Sequence, residues 1–230
     1  ADRPARPRHG SIAAAATTTG RPVRRPPMPP PLHTPDALRQ LYAAPMERAV
    51  RKEIPALDVH CRRFIALSPF VVLSTGDQAH NLDASPRGGA PGFVQVADAH
   101  TLLLPDAPGN NRLDSLQNIL ATGQVGLLFL VPGVDETLRV NGRAVLSTEP
   151  ADIAACTDDR RAPRLVLRVT VQAAYLHCAK ALMRSRLWDP AARVPRSVLP
   201  TAGQMIGEQT GLHVPPETQE EMARRYAPDL

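Results

Sequence analysis

The pattern of apolar and polar positions divides the chain into a helical beginning, a β-rich middle and a helical end. Near the start, Thr34 followed by Pro35 is typical of a helix N-terminus, and we expect that helix to end near residues 44–45. A second helical stretch is expected over residues 46–66, with Pro55 as a candidate break and Asp58 as a candidate N-cap, because apolar side chains recur there at helical spacing. A short terminal helix is expected after Pro215.

The middle of the chain changes from helical to alternating periodicity, which predicts strands. The runs are, in chain order, FVVLST, LDASPRG, two short runs around the turn ADAH, VGLLFLVPG, ETLRVNGRAVLST and RLVLRVTVQAAYLHCA. The run VGLLFLVPG is expected to be buried on both faces. The helix RLDSLQNILATG interrupts the strands and stops at Gly123. We therefore predict a mainly β (α+β) fold, with about six antiparallel strands, one inserted helix and flanking helices. Closing such a sheet into a barrel removes its free edges.

The composition excludes several classes of protein. Hydrophobic residues make up 43% of the 230 residues and aromatic residues only 3%, which predicts one sizeable domain with an aliphatic core. No apolar run approaches the roughly 20 residues of a membrane span, so no membrane partner is expected. Three widely separated cysteines form neither a disulfide framework nor a zinc spacing, which favours a reducing, cytoplasmic location and no metal site.

The net charge of +5 is confined to the beginning of the chain. Six of the 27 basic residues but only one of the 22 acidic residues lie in residues 1–33, so the rest of the chain, with 21 of each, is neutral. A nucleic-acid-binding domain would carry its own basic face, so no nucleic-acid partner is expected. The tail is rich in Pro and Arg and cannot bury enough apolar surface to fold alone. We expect a disordered tail at 1–33, one domain at 34–205 and a C-terminal helical extension at 206–230.

The segment before the inserted helix is the first candidate for chemistry. Asn110, Asn111 and Arg112 follow an apolar strand and a Pro- and Gly-rich turn, and we expect one of the asparagines to cap the helix. A cation in the first turn is unfavourable unless an anion lies between it and the helix N–H groups, so the arrangement favours a bound phosphate. The alternative is a capped surface helix with a solvated arginine.

Three further clusters combine polar side chains with features that suit a ligand. Ser85 and Arg87 precede glycines that allow close backbone approach. Arg139 lies on an alternating strand, where a cross-strand ion pair is the common explanation. The segment at residues 180–188 places three cations beside Trp188, the only tryptophan, as a candidate platform for an aromatic ligand. Each cluster has a structural alternative: a turn, an ion pair or a core anchor.

Taken together, these clusters resemble the FMN-binding split-barrel family of pyridoxamine 5'-phosphate oxidase-like proteins. The resemblance rests on D-x-S-P-R-G, P-G-N-N-R, E-T-L-R-V-N-G-R-A and a late R-S-x-L-W, and it covers roughly residues 35–205. It implies a six-stranded split β-barrel that forms a homodimer, with FMN in clefts at the subunit interface.

The resemblance also implies a set of cofactor-binding residues. Asn110, Asn111 and Arg112 stand where the oxidases bind the FMN phosphate, and Arg87 is expected to approach the same phosphate. Thr137 and Arg139 lie on the strand that approaches the flavin ring in that family. The full expected set is Ser85, Arg87, Asp106, Asn110, Asn111, Arg112, Thr137, Arg139, Arg184, Ser185 and Trp188, of which the last three resemble a segment that covers the cofactor. No catalytic residue is assigned.

Several functions agree with this resemblance. The Arg-x-His motif with which the oxidases recognise vitamin B6 phosphate is not visible, so we expect an FMN-dependent oxidoreductase with another substrate and an unidentified electron donor. Alternatives are a flavin-binding or sensor protein without turnover, the same fold with a deazaflavin or haem, and a structural barrel with an empty cleft.

Overall fold

The computed structural model describes residues 31–159, 161–212 and 217–229, so residues 1–30 of the tail that we expected to be disordered lie outside the described residues. The chain divides into two units, Ala1–Ala44 and Pro45–Leu230. The first unit contains helix α1, Pro35–Arg39, which begins as predicted because the Thr34 hydroxyl accepts a hydrogen bond from the Ala37 N–H (3.2 Å). The helix is shorter than expected, since it ends at Arg39.

The second unit contains the remaining helices and all the strands of the described chain. The helices are α2 Glu47–Arg51, α3 Val59–Leu67, α4 Asp114–Thr122, α5 Pro150–Ala155, α6 Lys180–Ser185, α7 Ala202–Thr210 and α8 Gln219–Tyr226. The predicted stretch at 46–66 is therefore two helices. The N-cap at Asp58 is confirmed, because its carboxylate accepts a hydrogen bond from the Cys61 N–H at 2.7 Å.

The strands form one antiparallel sheet with the order β2-β1-β5-β6-β7-β4-β3. They are β1 Phe70–Gly76, β2 Leu82–Gly88, β3 Gln95–Val96, β4 Thr101–Pro105, β5 Gln124–Leu130, β6 Thr137–Ser147 and β7 Val166–His177. The fold class is confirmed, but the sheet has seven strands instead of six. The additional strand, β3, is the two-residue arm of the expected hairpin around ADAH.

The two ends of the sheet meet at a seam. β2 is one edge of the sheet and β4 lies near the other, yet Arg87 on β2 donates a hydrogen bond to Asp106, directly after β4 (3.1 Å). The sheet therefore curls back on itself. No ladder joins β2 to β4 among the described residues, so side chains close the barrel at this seam.

Helix α4 packs against the inner side of the curled sheet. The helical spacing predicts one apolar face of Leu113, Leu116, Ile119 and Leu120, but only Leu116 and Ile119 enter the core, while Leu113 and Leu120 are exposed. The helix ends at Gly123, as predicted, where a φ of 67° suits a residue without a side chain. The Thr122 hydroxyl donates to the Gly76 carbonyl oxygen at 2.9 Å, which ties the end of α4 to β1.

The strand register assigns each side chain to one of two faces. Directly opposite residues of antiparallel strands share a face, and neighbours along a strand alternate. Val71, Phe129 and Leu138 are aligned across three strands and are fully buried, which defines the inner face. The prediction that β5 is buried on both faces is wrong for the single chain, because Leu128 and Leu130 on its outer face are only partly covered.

A β-bulge between β6 and β7 depends on a glycine. The pairing shifts at this point, from Asn141 opposite Ala173 to Gly142 opposite Val171. A Cβ at Gly142 would overlap the carbonyl oxygen of Thr170 on β7. We expect Gly142→Ala to lower the free energy of unfolding by about 1–3 kcal/mol, because one of the two backbones must move. Urea denaturation of the two proteins measures this difference.

The matched control is Gly126→Ala on the neighbouring strand β5. A Cβ there would meet no atom closer than 3.5 Å. The control should change the free energy of unfolding by no more than about 0.5 kcal/mol. Equal stabilities of the Gly142→Ala variant and the parent protein would show that the bulge accommodates a side chain.

Candidate functional site

The seam contains three of the predicted residues, Ser85 and Arg87 on β2 and Asp106 directly after β4. The Arg87–Asp106 ion pair is mostly covered, with each side chain only 20% exposed. The Nε of Arg87 is buried and has no hydrogen-bond partner among the described residues. Ser85 lies two residues away on the same face and is partly buried. Because a buried guanidinium N–H is costly to leave unpaired, this position can accept an anionic partner.

A second polar cluster joins β2 to the start of α4. Asp83 accepts a short hydrogen bond from the Ser115 hydroxyl and a longer one, 3.5 Å, from the Thr75 hydroxyl. Thr75 also accepts from the Asn118 side chain at 3.0 Å. This network holds the first turns of α4 against the inner face of β1 and β2. It places the α4 N-terminus on the same side of the sheet as Ser85 and Arg87.

The segment before α4 differs from the prediction. The helix begins at Asp114, its N-cap is Leu113 in a left-handed conformation, and no side chain caps it. The predicted asparagine cap is therefore wrong. Asn110 instead accepts a hydrogen bond from the Arg112 N–H (3.1 Å), which stabilises a turn ahead of the helix. Asn111 has a φ of 58°, a conformation that asparagine tolerates better than most residues.

The predicted Arg112 is largely in solvent. Its side chain is 73% exposed and pairs with Asp114 at 2.9 Å. The seam and the α4 start together hold the cations Arg87 and Arg112 against the carboxylates of Asp83, Asp106 and Asp114. One more carboxylate than cation is present, so this region of a single chain is not strongly attractive to a phosphate dianion.

Thr137 and Arg139 lie on the other face of the sheet. Arg139 is opposite Leu128, which in turn is opposite Val72, and this row is the outer face. Two side chains of β7 share that face, since Tyr175 is opposite Arg139 and His177 is opposite Thr137. The two faces of one chain therefore separate the Ser85 and Arg87 pair from the Thr137 and Arg139 pair.

A cluster that sequence reasoning missed surrounds Arg139. The guanidinium donates to the Tyr175 hydroxyl at 3.2 Å and lies 5.7 Å from the ring centroid. The Lys52 ammonium lies 5.5 Å from the same centroid and donates to the Leu176 carbonyl oxygen at 2.6 Å. The rings of Tyr175 and His177 are 5.2 Å apart. We call Lys52, Arg139, Tyr175 and His177 the outer-face cluster.

The position of Lys52 is set by a backbone bridge. Ile54 and Ala174 exchange two hydrogen bonds, Ile54 N–H to Ala174 O at 3.1 Å and Ala174 N–H to Ile54 O at 2.8 Å. This bridge pairs the chain after α2 with the end of β7. Lys52 is thereby fixed beside residues more than 120 positions later in the sequence.

The three C-terminal residues of the predicted set lie on and after α6. Arg184 and Ser185 are exposed, and the Ser185 hydroxyl donates to the Leu182 carbonyl oxygen (3.0 Å). The Trp188 indole N–H donates to the Val134 carbonyl oxygen at 2.9 Å, in the turn between β5 and β6. Trp188 therefore anchors this segment at the end of the sheet where Thr137 begins β6.

Other features of the described residues do not form a site with the predicted set. One concave surface of about 430 Å³ lies at the end of α4 and another of about 530 Å³ lies beside α5, and neither is lined by a predicted residue. No cluster of three metal-ligating side chains occurs in the described ranges.

Burial raises the pKa of the Cys61 and Cys156 thiols to about 11. No described helix combines the length and apolar character that crossing a membrane requires.

Comparison with known proteins assigns the family. The family profile described as pyridoxamine 5'-phosphate oxidase matches residues 57–178, more than half of the chain. This match covers the sheet, α4 and all but the C-terminal part of the predicted site. The chain belongs to the pyridoxamine 5'-phosphate oxidase family. No curated protein matches the sequence.

Several solved structures are similar to this chain. HupZ from Group A Streptococcus is 18% identical, with 51% of this chain and 90% of that chain covered and a TM-score of 0.42. An FMN-binding protein from Syntrophomonas wolfei is 14% identical, with 51% and 83% covered and a TM-score of 0.39. General Stress Protein 26 from Bacillus anthracis is 13% identical, with 51% and 94% covered and a TM-score of 0.38.

The environment of His177 predicts a pH-dependent stability. Burial, and then the positive charges of Arg139 and Lys52, hold the pKa of His177 below its ordinary value of 6.5. The unfolded chain therefore binds the proton more readily, so stability should decrease as the pH falls from 7 through 6.5 toward the folded pKa. We expect this part of the decrease to be absent from His177→Gln. Urea denaturation midpoints between pH 7.5 and 5.5 measure it.

The control for this measurement is His33→Gln, which removes an exposed histidine before α1. Carboxylates titrate alike in all three proteins, so only the difference between the slopes is interpreted. A His177→Gln variant with the same slope as the parent protein would show that His177 has similar proton affinity in the folded and unfolded chains.

Proposed function

We propose that this protein is an FMN-binding flavoprotein whose cofactor site is shared between two copies of the chain, and that it acts as an FMN-dependent oxidoreductase. One observation carries the proposal: the buried Nε of Arg87 has no partner among the described residues, at the seam where the family resemblance expects the FMN phosphate. The family membership supports the choice of cofactor. Arg87, Arg112 and the backbone before α4 would hold the phosphate.

The charge balance supports a contribution from a second chain. A phosphate carries close to two negative charges, whereas the seam and the start of α4 carry one more carboxylate than cation. An additional positive charge is available on α6 at Arg184, which is exposed. We propose that Arg184 of a second copy supplies this charge, because the resemblance expects the segment after β7 to cover the cofactor.

The outer face of the sheet supports an interface. Phe70 on β1 and Leu128 and Leu130 on β5 are apolar residues of this face, and none of them is fully buried in the single chain. Phe70 is 37% exposed. Apolar side chains on the open face of an antiparallel sheet are typical of a surface that packs against another layer. We propose that this layer is the sheet of a second copy.

The cofactor would supply the hydride chemistry, and the protein would supply binding, orientation and electrostatics. Thr137 and Arg139 would lie beside the flavin ring, where a cation stabilises negative charge on the reduced form. Trp188 would close that end of the sheet through its hydrogen bond to Val134. The substrate and the electron donor are unassigned. The absence of the Arg-x-His motif argues against vitamin B6 phosphate.

The first test is the cofactor itself. We expect the purified protein to show the two absorption bands of a flavin and to release about one FMN per chain on heating. Arg112→Met and Asn111→Asp should weaken FMN binding by about 10- to 100-fold, because each removes or repels a charge-assisted contact with the phosphate. Fluorescence titration of FMN into the cofactor-free protein measures the affinity.

Arg63→Met on α3 is the control, since it removes one exposed arginine without touching the seam. Arg87 is avoided here, because its loss would leave the mostly buried Asp106 without a partner and would change stability as well as binding. A colourless protein that does not bind added FMN would exclude the proposed cofactor. Binding with unchanged affinity in both variants would place the phosphate elsewhere.

The shared site has a separate test. Arg112→Glu and Arg139→Glu should each abolish FMN binding in homodimers, because they reverse charge on opposite faces of the sheet. A mixed dimer of the two variants contains one site with both mutations and one with neither. We expect co-expressed chains with two different tags to retain about one FMN per purified mixed dimer.

If each site lay within a single chain, every site of the mixed dimer would carry one mutation and the dimer would be free of FMN. Light scattering of each sample shows whether it is dimeric. The FMN content of the two homodimers, mixed only after purification, gives the background.

A further inference from the structure

The outer-face cluster concentrates positive charge without a carboxylate. The Lys52 ammonium and the Arg139 guanidinium both lie within 6 Å of the Tyr175 ring centroid. Neither is within ion-pair distance of an acidic side chain in the described part of the chain, whereas Arg87, Arg112 and Arg168 all are. Because neither cation has a carboxylate partner, an anion that binds beside them would be stabilised by Coulomb attraction.

The same cluster contains polar groups whose hydrogen-bonding potential is not fully used within the described residues. The Tyr175 hydroxyl accepts from Arg139 at 3.2 Å, so its own O–H is free to donate. The Nε2 of His177 is buried and has no partner among the described residues. Burial, and then the positive charges of Arg139 and Lys52, hold the pKa of this imidazole below its ordinary value. A neutral imidazole can offer an N–H to an anion at neutral pH.

We propose that the outer-face cluster is an oxyanion-binding site for a carboxylate or phosphate group of a small-molecule substrate. Arg139 and Lys52 would neutralise the anion, and Tyr175 and His177 would donate hydrogen bonds to it. That the anion belongs to a substrate rests on the proposed function, because Thr137 and Arg139 are the residues expected beside the flavin. The binding of an oxyanion rests only on the geometry of the cluster.

This site is distinct from the proposed phosphate site of the same chain. Arg87 lies on the inner face of β2, and Arg139 lies on the outer face of β6, three strands away and roughly 14 Å along the sheet. A single phosphate cannot contact both within one chain. A second copy could bring them together, so the experiment must separate the substrate oxyanion from the phosphate of FMN.

The experiment titrates inorganic phosphate into the full-length protein at constant ionic strength and follows the imidazole NMR signals of His177. The signals are assigned with His177→Gln, because the chain has seven histidines. We expect a saturable shift with an apparent Kd of order 1 mM, the same in FMN-free and FMN-loaded protein. Acetate in place of phosphate shows whether a carboxylate binds in the same way.

Lys52→Met should weaken phosphate binding by about tenfold, because a charge-assisted contact is lost. Lys52→Arg keeps the charge and should therefore retain more of the phosphate affinity than Lys52→Met does. Arg48→Met, one turn earlier on α2, removes an exposed cation outside the cluster and should leave the titration unchanged.

Three outcomes would overturn the proposal. The first is the absence of a saturable shift, and the second is an equal effect of Lys52→Met and Arg48→Met, which would indicate only general charge attraction. The third is release of FMN by phosphate in step with the His177 shift, which would assign the cluster to the phosphate of the cofactor. A protein that binds phosphate at His177 but no FMN would retain the oxyanion site and reject the proposed cofactor.

Discussion

The alternation of side chains along the strands is the constraint on which the candidate site depends. A shift of one residue along a strand moves a side chain to the other face of the sheet. The register from β2 to β6 contains no bulge, so Arg87 is fixed on the inner face and Arg139 on the outer face. No rotamer change brings them together within one chain. If the family's cofactor uses both residues, assembly is a physical requirement of the site.

The seam explains how the inner half of the site is held. Curling the sheet brings the end of β4 against β2, and the Arg87–Asp106 pair joins them where no backbone ladder does. β2 tolerates Pro86 because it is an edge strand, and a proline there leaves no ladder hydrogen bond unsatisfied. A side-chain seam can open locally at lower cost than a backbone ladder, which suits the position expected for a phosphate.

The sequence predicted the elements well and their spatial relations poorly, for a physical reason. Local patterns identify strands, the Asp58 cap and the Gly123 stop because these depend on neighbouring residues. The cap before α4 was predicted wrongly because Asn110 bonds to the backbone of its own turn, an alternative that Asx residues always have. The resemblance supplied the set of site residues, but it did not show that they divide between two faces.

The outer-face cluster could be predicted only in part from the sequence. Tyr175 and His177 are two positions apart on one strand, so the sequence predicts that they share a face. The position of Lys52 beside Tyr175 could not be predicted from the sequence, since it depends on the Ile54–Ala174 bridge. Arg139 joins the cluster through the β6–β7 register, which the bulge at Gly142 shifts by one residue. Without that bulge, the part of β7 that contains Tyr175 and His177 would turn its other side chains to the outer face. Gly142, which lets the two strands approach at the bulge, therefore also helps to determine which side chains accompany Arg139.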